Sequence, residues 1–394
     1  MTAPPPLSFR PRRTPVYGLD AVRFLAAALV VAYHLGFKAW ALPESTLGQA
    51  LGVRVDFPPG YWLTCCGWVG VQIFFVVSGA VIAYSAGGVT ARRFARRRAA
   101  RLLPCVLIAV AIALPVAIAA LAMPPQKAAW LGLKTLAFAP WGPWLIGQFW
   151  TIPIELGFYA LVWALLALRR EERGTAGLAW CLGLVGAAYW IAVTAGWLAP
   201  GGRLSELLLL QHGLYFALGI VCARLGGGTL APRHLMLALA CIVGAALQVR
   251  MAARWEMAAR PDLAGHWPLA YAIWLAATAL VALSFLYRDA VAGAVEGAGK
   301  GAVGTGTGRL AGALRLAGLS TYPLYLVHFH IGGAILLAAS GFGPMPALAA
   351  ASAGSLLAAL AIAIWCEPPL HGALDAGIAR FGSRAWRRLR LAAG

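Results

Sequence analysis

The chain has 394 residues, of which 61% are hydrophobic and only 11% charged, with a formal net charge of +19. Soluble domains carry roughly 25% charged residues, so this composition excludes a soluble globular protein and predicts an all-α integral membrane protein. The cations do not imply nucleic acid, because the arginines cluster at the ends of apolar runs rather than on one polar domain.

A crossing needs about 20 apolar residues, and about ten transmembrane helices are expected, at 17–37, 67–86, 102–122, 146–167, 177–197, 206–223, 234–249, 268–287, 320–340 and 345–365. A Pro-rich tail, 1–16, brings Arg10, Arg12 and Arg13 to the first of them. No small-residue cleavage site follows, so this reads as an uncleaved span rather than a signal peptide. Inside it, Arg23 and His34 lie on one helix face about 16 Å apart. Asp20 is placed to pair with Arg23. Ionisable groups within a span are costly and usually functional.

The second span opens at Gly67 and Gly70 and carries Ser78 and Gly79, a small-residue pattern that suits close helix packing. No elbow pattern supports Ser78 as a nucleophile. The stretch 128–139 is apolar but short and is interrupted by Lys134, as suits a re-entrant or interfacial piece. The Gly-rich stretch 293–308 fails the phosphate-loop pattern, with Ala294 at the first glycine position and Gly301 after Lys300. It reads as a cytoplasmic linker at about 290–310. After the last span, 368–394 forms a basic tail. Placing both termini in the cytoplasm leaves most Lys and Arg on that side, as the positive-inside rule requires. The loop with Arg250, Arg254 and Arg260 is the main violation.

Four constellations carry possible chemistry. His34 suits a general base or a packed polar residue bonded to a neighbouring helix. The run Arg92, Arg93, Arg96, Arg97, Arg98 and Arg101 suits a clamp on anionic lipid or a phosphate site, with Arg97 and Arg101 one turn apart. Glu155 suits orienting a histidine, holding a substrate hydroxyl or pairing with an arginine; Trp150 and Tyr159 around it also suit an interfacial aromatic belt. Tyr325 and His328 share a helix face. His328 and His330 do not, and no CxxC or Cys/His spacing occurs among the seven cysteines, so no metal is expected. His212 and His371 read as interfacial or packed.

Taken in order, these segments resemble the membrane acyltransferase-3 family of carbohydrate O-acyltransferases. The family's opening pattern matches 19–34, with Arg23 and His34 in place. Its glycine-rich pattern matches 67–80, its basic pattern matches Arg97, Arg98, Arg101 and Pro104, and its Trp-to-Tyr pattern matches Trp150, Glu155 and Tyr159. A later pattern matches 321–328, with Thr321 for serine, and a closing Glu-Pro matches Glu367 and Pro368. Gln72, Leu156, Gly157 and Ala80 depart from the pattern and bear on acceptor class. The resemblance covers 17–367 as one acyltransferase-like transmembrane domain.

It implies acetyl-CoA or another acyl-CoA as donor, reached from the cytoplasm. It implies a carbohydrate or glycolipid acceptor, such as lipopolysaccharide, an exported polysaccharide, peptidoglycan or a glycosylated small molecule, and residence in the cell inner membrane. Arg23, Arg97, Arg98 and Arg101 would then hold the donor. His34 would act as base, or carry a transient acyl group, with Glu155 orienting it or contacting the sugar. Asp20, Trp150, Tyr159, Tyr325 and His328 would support the site. The competing readings are a proton-coupled transporter or flippase, for which no repeat is visible, and a non-catalytic partner in a polysaccharide assembly complex.

Overall fold

The computed structural model describes residues 14–52, 57–226, 231–258, 260–301, 306–374 and 377. No strand occurs among them, and nine helices are long and apolar enough to cross a membrane. In chain order these are α1 (Tyr17–Ala41), α2 (Gly60–Ala86), α3 (Ala91–Ala119), α4 (Gly147–Ala167) and α5 (Gly174–Thr194). A shorter apolar helix, α6 (Gly213–Leu225), follows, and then α7 (Pro232–Glu256), α8 (Pro261–Leu286), α9 (Arg309–Phe342) and α10 (Pro344–Leu374). The chain is an all-α, multi-pass membrane protein.

Each of the ten expected spans has its helix, and the differences have local causes. The span expected at 206–223 holds only α6, because a short helix (Arg203–Leu207) and a tight turn occupy its first part. Helix α3 starts eleven residues before the expected 102. The Thr90 hydroxyl accepts from Arg93 N at 3.3 Å and caps it, so the arginine run forms its opening turns. The stretch at 128–139 is a 12-residue helix, Pro125–Leu136, too short to cross; it buries Ala128, Leu131 and Thr135 and exposes Trp130 and Leu133. Where a Gly-rich linker is expected, Arg288–Gly301 is helical and the next helix starts at Gly306. Interspersed alanines support that helix. Residues 302–305, most of the N-terminal tail and the basic C-terminal tail beyond α10 lie outside the described residues.

Glycines set the central packing. A Cβ built on Gly67 would stand 2.1 Å from Leu29 O, and one on Gly70 would stand 2.4 Å from Ala26 O, so α2 lies backbone to backbone on α1. Two and a half turns further, a Cβ on Gly79 would meet Phe216 O at 2.2 Å, and one on Gly219 would meet Val76 O at 2.0 Å. Helices α2 and α6 therefore cross at a reciprocal pair of glycines. With no water or apolar driving force between helices in lipid, such close approach and its dispersion contacts hold the bundle.

His34 and His328 both lie in stretches of π-helix. The α-helical part of α1 ends at Ala32, and Tyr33–Lys38 winds as a π-helix. In α9 the same happens at His328–Gly332. The two wide turns pack together, since a Cβ on Gly332 would stand 2.7 Å from Leu35. π turns inside α-helices occur frequently at functional sites.

Candidate active site

Two cavities lie along the inner face of α1, and Val71 of α2 lines both. The first, of ≈ 580 Å³, takes in Arg23, Ser78, Arg101, Glu155, Tyr322 and Tyr325. Arg23 Nη1 stands 3.7 Å from Asp20 Oδ1, the pairing their spacing implies. Asp20 itself is pressed against Gly318 of α9. Arg101 reaches the cavity from the third turn of α3. Glu155, on α4, accepts hydrogen bonds from the Ser78 hydroxyl at 2.6 Å and from the Tyr159 hydroxyl. Its carboxylate is held between two donors in a cavity with two guanidinium groups. The Tyr322 hydroxyl is buried and has no partner among the described residues.

The remaining arginines divide. Arg98 donates to the Ser85 hydroxyl at 3.1 Å and lies over the rings of Phe94 and Tyr159, so it braces the Tyr159–Glu155 pair from outside the cavity. Arg97 is exposed and lines neither cavity, although sequence spacing pairs it with Arg101. A charge-assisted bond to phosphate is worth about 1.5–3 kcal/mol. Arg101→Ala is therefore expected to weaken binding of a phosphate-bearing ligand in this cavity about ten- to a hundredfold, and Arg97→Ala to change it by less than about threefold. Equilibrium binding of a labelled nucleotide-phosphate probe to the two variants in nanodiscs measures this. Equal losses would contradict the division.

The second cavity, of ≈ 840 Å³, is walled by polar groups and indoles, among them His34, Trp68, Trp150, His212, Gln248 and Glu256. His34 Nδ1 stands 2.9 Å from Val30 O and 3.2 Å from His328 Nε2. His328 Nδ1 stands 3.0 Å from Leu324 O. A carbonyl oxygen only accepts, so in the neutral rings this network assigns the proton to Nδ1 of both histidines. His34 Nε2 is then left with its lone pair, a base beside the cavity. His328 Nε2 accepts from His34 Nδ1–H. Gln148 Nε2 lies 3.5 Å from His328 Nε2 and 3.5 Å from Tyr325 O. The Tyr325 hydroxyl donates to Gln148 O at 2.9 Å and stands 3.0 Å from the Thr151 hydroxyl, tying α9 to the start of α4.

One role read from sequence is corrected here. Glu155 does not orient His34: its partners are Ser78 and Tyr159 in the first cavity, and the group beside His34 is His328. The α4 carboxylate lies one turn beyond Trp150, which lines the second cavity, so the helix carries the two residues to different chambers. Sequence reasoning gave no role to Ser78, the donor to Glu155, or to Gln148, although each lies in a stretch that drew notice, and it read His212 as interfacial or packed. No group of three or more His, Cys, Asp or Glu residues able to hold a metal occurs among the described residues.

A family model described as an acyltransferase domain matches residues 16–364. The chain is 31% identical over 238 residues to the protein named acyltransferase MdmB of Streptomyces mycarofaciens, an alignment covering 54% of this chain and 58% of that protein. The chain thus matches less than two thirds of that relative's length. No solved structure matches.

Proposed function

Because the chain belongs to the acyltransferase-3 family and is a membrane acyltransferase, we propose that it moves an acyl group, acetyl in the simplest case, from acyl-CoA to a hydroxyl of an envelope or exported carbohydrate. Its place is the cell inner membrane, with both termini in the cytoplasm. The observation that carries this reading is the pair of chambers meeting at Val71, one with Arg23 and Arg101, the other with the free nitrogen of His34. On α1 the arginine precedes the histidine by eleven residues, about 16 Å of rise. That separation suits a donor whose phosphates and thioester lie at opposite ends of a long arm. The unpartnered Tyr322 hydroxyl supplies a further donor in the arginine chamber.

Acyl-CoA supplies an activated thioester carbonyl. Arg23 and Arg101 hold its negative groups by charge-assisted bonds. His34 Nε2 takes the proton of the acceptor hydroxyl as its oxygen bonds to the carbonyl carbon. His328 and Val30 O hold Nδ1–H, so the imidazole keeps its tautomer. As the carbon–sulfur bond breaks, the proton on His34 Nε2 passes to the leaving thiolate and restores the neutral base. Glu155, fixed by Ser78 and Tyr159, balances the guanidinium charges when the chamber is empty.

The reading is tested with purified protein in lipid nanodiscs, labelled acetyl-CoA and a membrane glycolipid extract. Label is expected on the glycan fraction. Protein that is folded and binds acetyl-CoA yet labels no glycan would overturn the acyl-transfer reading. Movement of an unmodified solute across vesicles would favour a transporter instead.

A further inference from the structure

His212 stands just before α6, on the wall of the chamber that holds His34. It is 3% exposed, and neither Nδ1 nor Nε2 has a hydrogen-bond partner among the described residues. A buried polar group left without a partner costs stability. Such a group persists in a fold when something outside the free protein partners it, or when the surroundings cannot do so.

The surroundings are rich in polar groups, and they are spent on one another. Gln211, the residue before, donates to Gly201 O and to the Ser205 hydroxyl, both at 2.7 Å. Gln211 O accepts from Trp190 Nε1 at 2.9 Å. Gly201 N donates to the Tyr189 hydroxyl at 2.7 Å. Four residues, Tyr189, Trp190, Gly201 and Ser205, thus fix the segment that carries His212, while its ring is left unpaired. Aromatic faces hold the ring itself: Phe75 lies 5.0 Å away, centroid to centroid, and Trp150 lies 5.8 Å away. Neither makes a hydrogen bond to a ring nitrogen. The ring itself lines the chamber.

The geometry points to His212 as a binding residue for the acceptor: one ring nitrogen hydrogen-bonds a hydroxyl of a polyhydroxylated acceptor and holds it over His34. This rests on the acyl-transfer reading above. A neutral imidazole offers one donor and one acceptor, which matches a hydroxyl's own capacity to do both. The indoles of Trp68 and Trp150 give the same chamber flat apolar faces of the kind that cover ring C–H groups. Gln248 has its amide oxygen taken by the Tyr215 hydroxyl, so what it offers a ligand is its NH₂.

The test compares wild type, His34→Ala, His212→Phe and His212→Gln, each in nanodiscs. Three quantities are measured: transfer from labelled acetyl-CoA against the concentration of membrane glycolipid extract, equilibrium binding of acetyl-CoA, and thermal unfolding. Phenylalanine keeps the ring between Phe75 and Trp150 and removes both nitrogens. His212→Phe is expected to raise the half-saturating extract concentration about tenfold or more, the size of a lost hydrogen bond at a site built for one. Acetyl-CoA binding stays within about twofold, and the melting temperature is unchanged or higher, because an unpaired buried polar group has gone. His212→Gln restores much of the acceptor affinity. Unchanged half-saturation in His212→Phe overturns the role. So does a fall in melting temperature without rescue by glutamine, since that marks a packing residue. Wild type that binds acetyl-CoA and labels no glycolipid overturns the acyl-transfer reading, and the role of His212 with it.

Discussion

Replacing His34 by alanine is expected to lower the proposed acyl transfer by about two to four powers of ten, the usual contribution of a positioned general base. Binding of acetyl-CoA is expected to survive, because the arginine chamber lies on the other side of Val71. The ring also packs edge-on to Tyr33 and Phe329, so some loss of stability accompanies the change. His34→Gln separates the two effects: it keeps a polar side chain near Val30 O but is no base. Single-turnover transfer of labelled acetyl from acetyl-CoA to glycolipid, measured beside donor affinity, checks this. If the alanine variant turns over at more than about a tenth of the wild-type rate, His34 is not the base. Loss of donor affinity to the same degree would place His34 in the donor site instead.

The second large effect is structural. Gly219→Ala is expected to deplete folded protein, and Gly79→Ala to do the same. A methyl at Gly219 would sit 2.0 Å from Val76 O and 2.7 Å from Ala80 N, and both of those are backbone atoms that no rotamer change can move away. The helices must separate, and overpacking of this kind typically costs about 1–3 kcal/mol or more. Separation here also shifts Phe75 and Phe216, whose rings lie 5.0 Å apart beside His212. Gly177, with open space around its Cβ position, is the control: Gly177→Ala should be neutral or slightly stabilising through helix propensity. The yield of monodisperse protein after detergent extraction and its unfolding temperature report both. Wild-type stability in Gly219→Ala would mean that α2 and α6 do not cross as closely as described.

Much of the fold is legible in the sequence because lipid imposes one rule: about 20 apolar residues in a row form a helix that satisfies its own backbone. That rule locates α1 and α10 within a few residues at their N-terminal ends. It fails where helix continues through polar residues. Helix α3 begins in the arginine run because Thr90 caps it, and α9 begins well before 320 because Leu310, Ala311 and Leu314 favour helix without making the stretch apolar enough to read as a span. The pairing of Asp20 with Arg23 is legible too, since it depends on three residues of spacing. The partners of His34 and Glu155 are not. His328 lies 294 residues from His34, and Ser78 lies 77 from Glu155; nothing in a local pattern encodes which helices meet. The same limit explains why Glu155 reads as a helper of His34. Both belong to one ordered set of motifs, yet α4 turns the carboxylate toward the arginines.

The π turns at His34 and His328 bear on how these two spans tolerate changes in length. A π turn accommodates one residue more than an α-helix of the same rise, so each functions as an absorbed insertion. Deleting a single residue from Tyr33–Lys38 would let α1 close into regular α-helix while the turns on either side keep their register, so only the residues of the wide turn itself would be re-aimed. Leu35 would leave Gly332. The helix would remain long enough to cross the bilayer and apolar enough to insert. A one-residue deletion at this point is therefore a local edit of the chamber wall within an intact span, whereas the same deletion in the regular helix before Tyr33 would turn everything beyond it by about 100°.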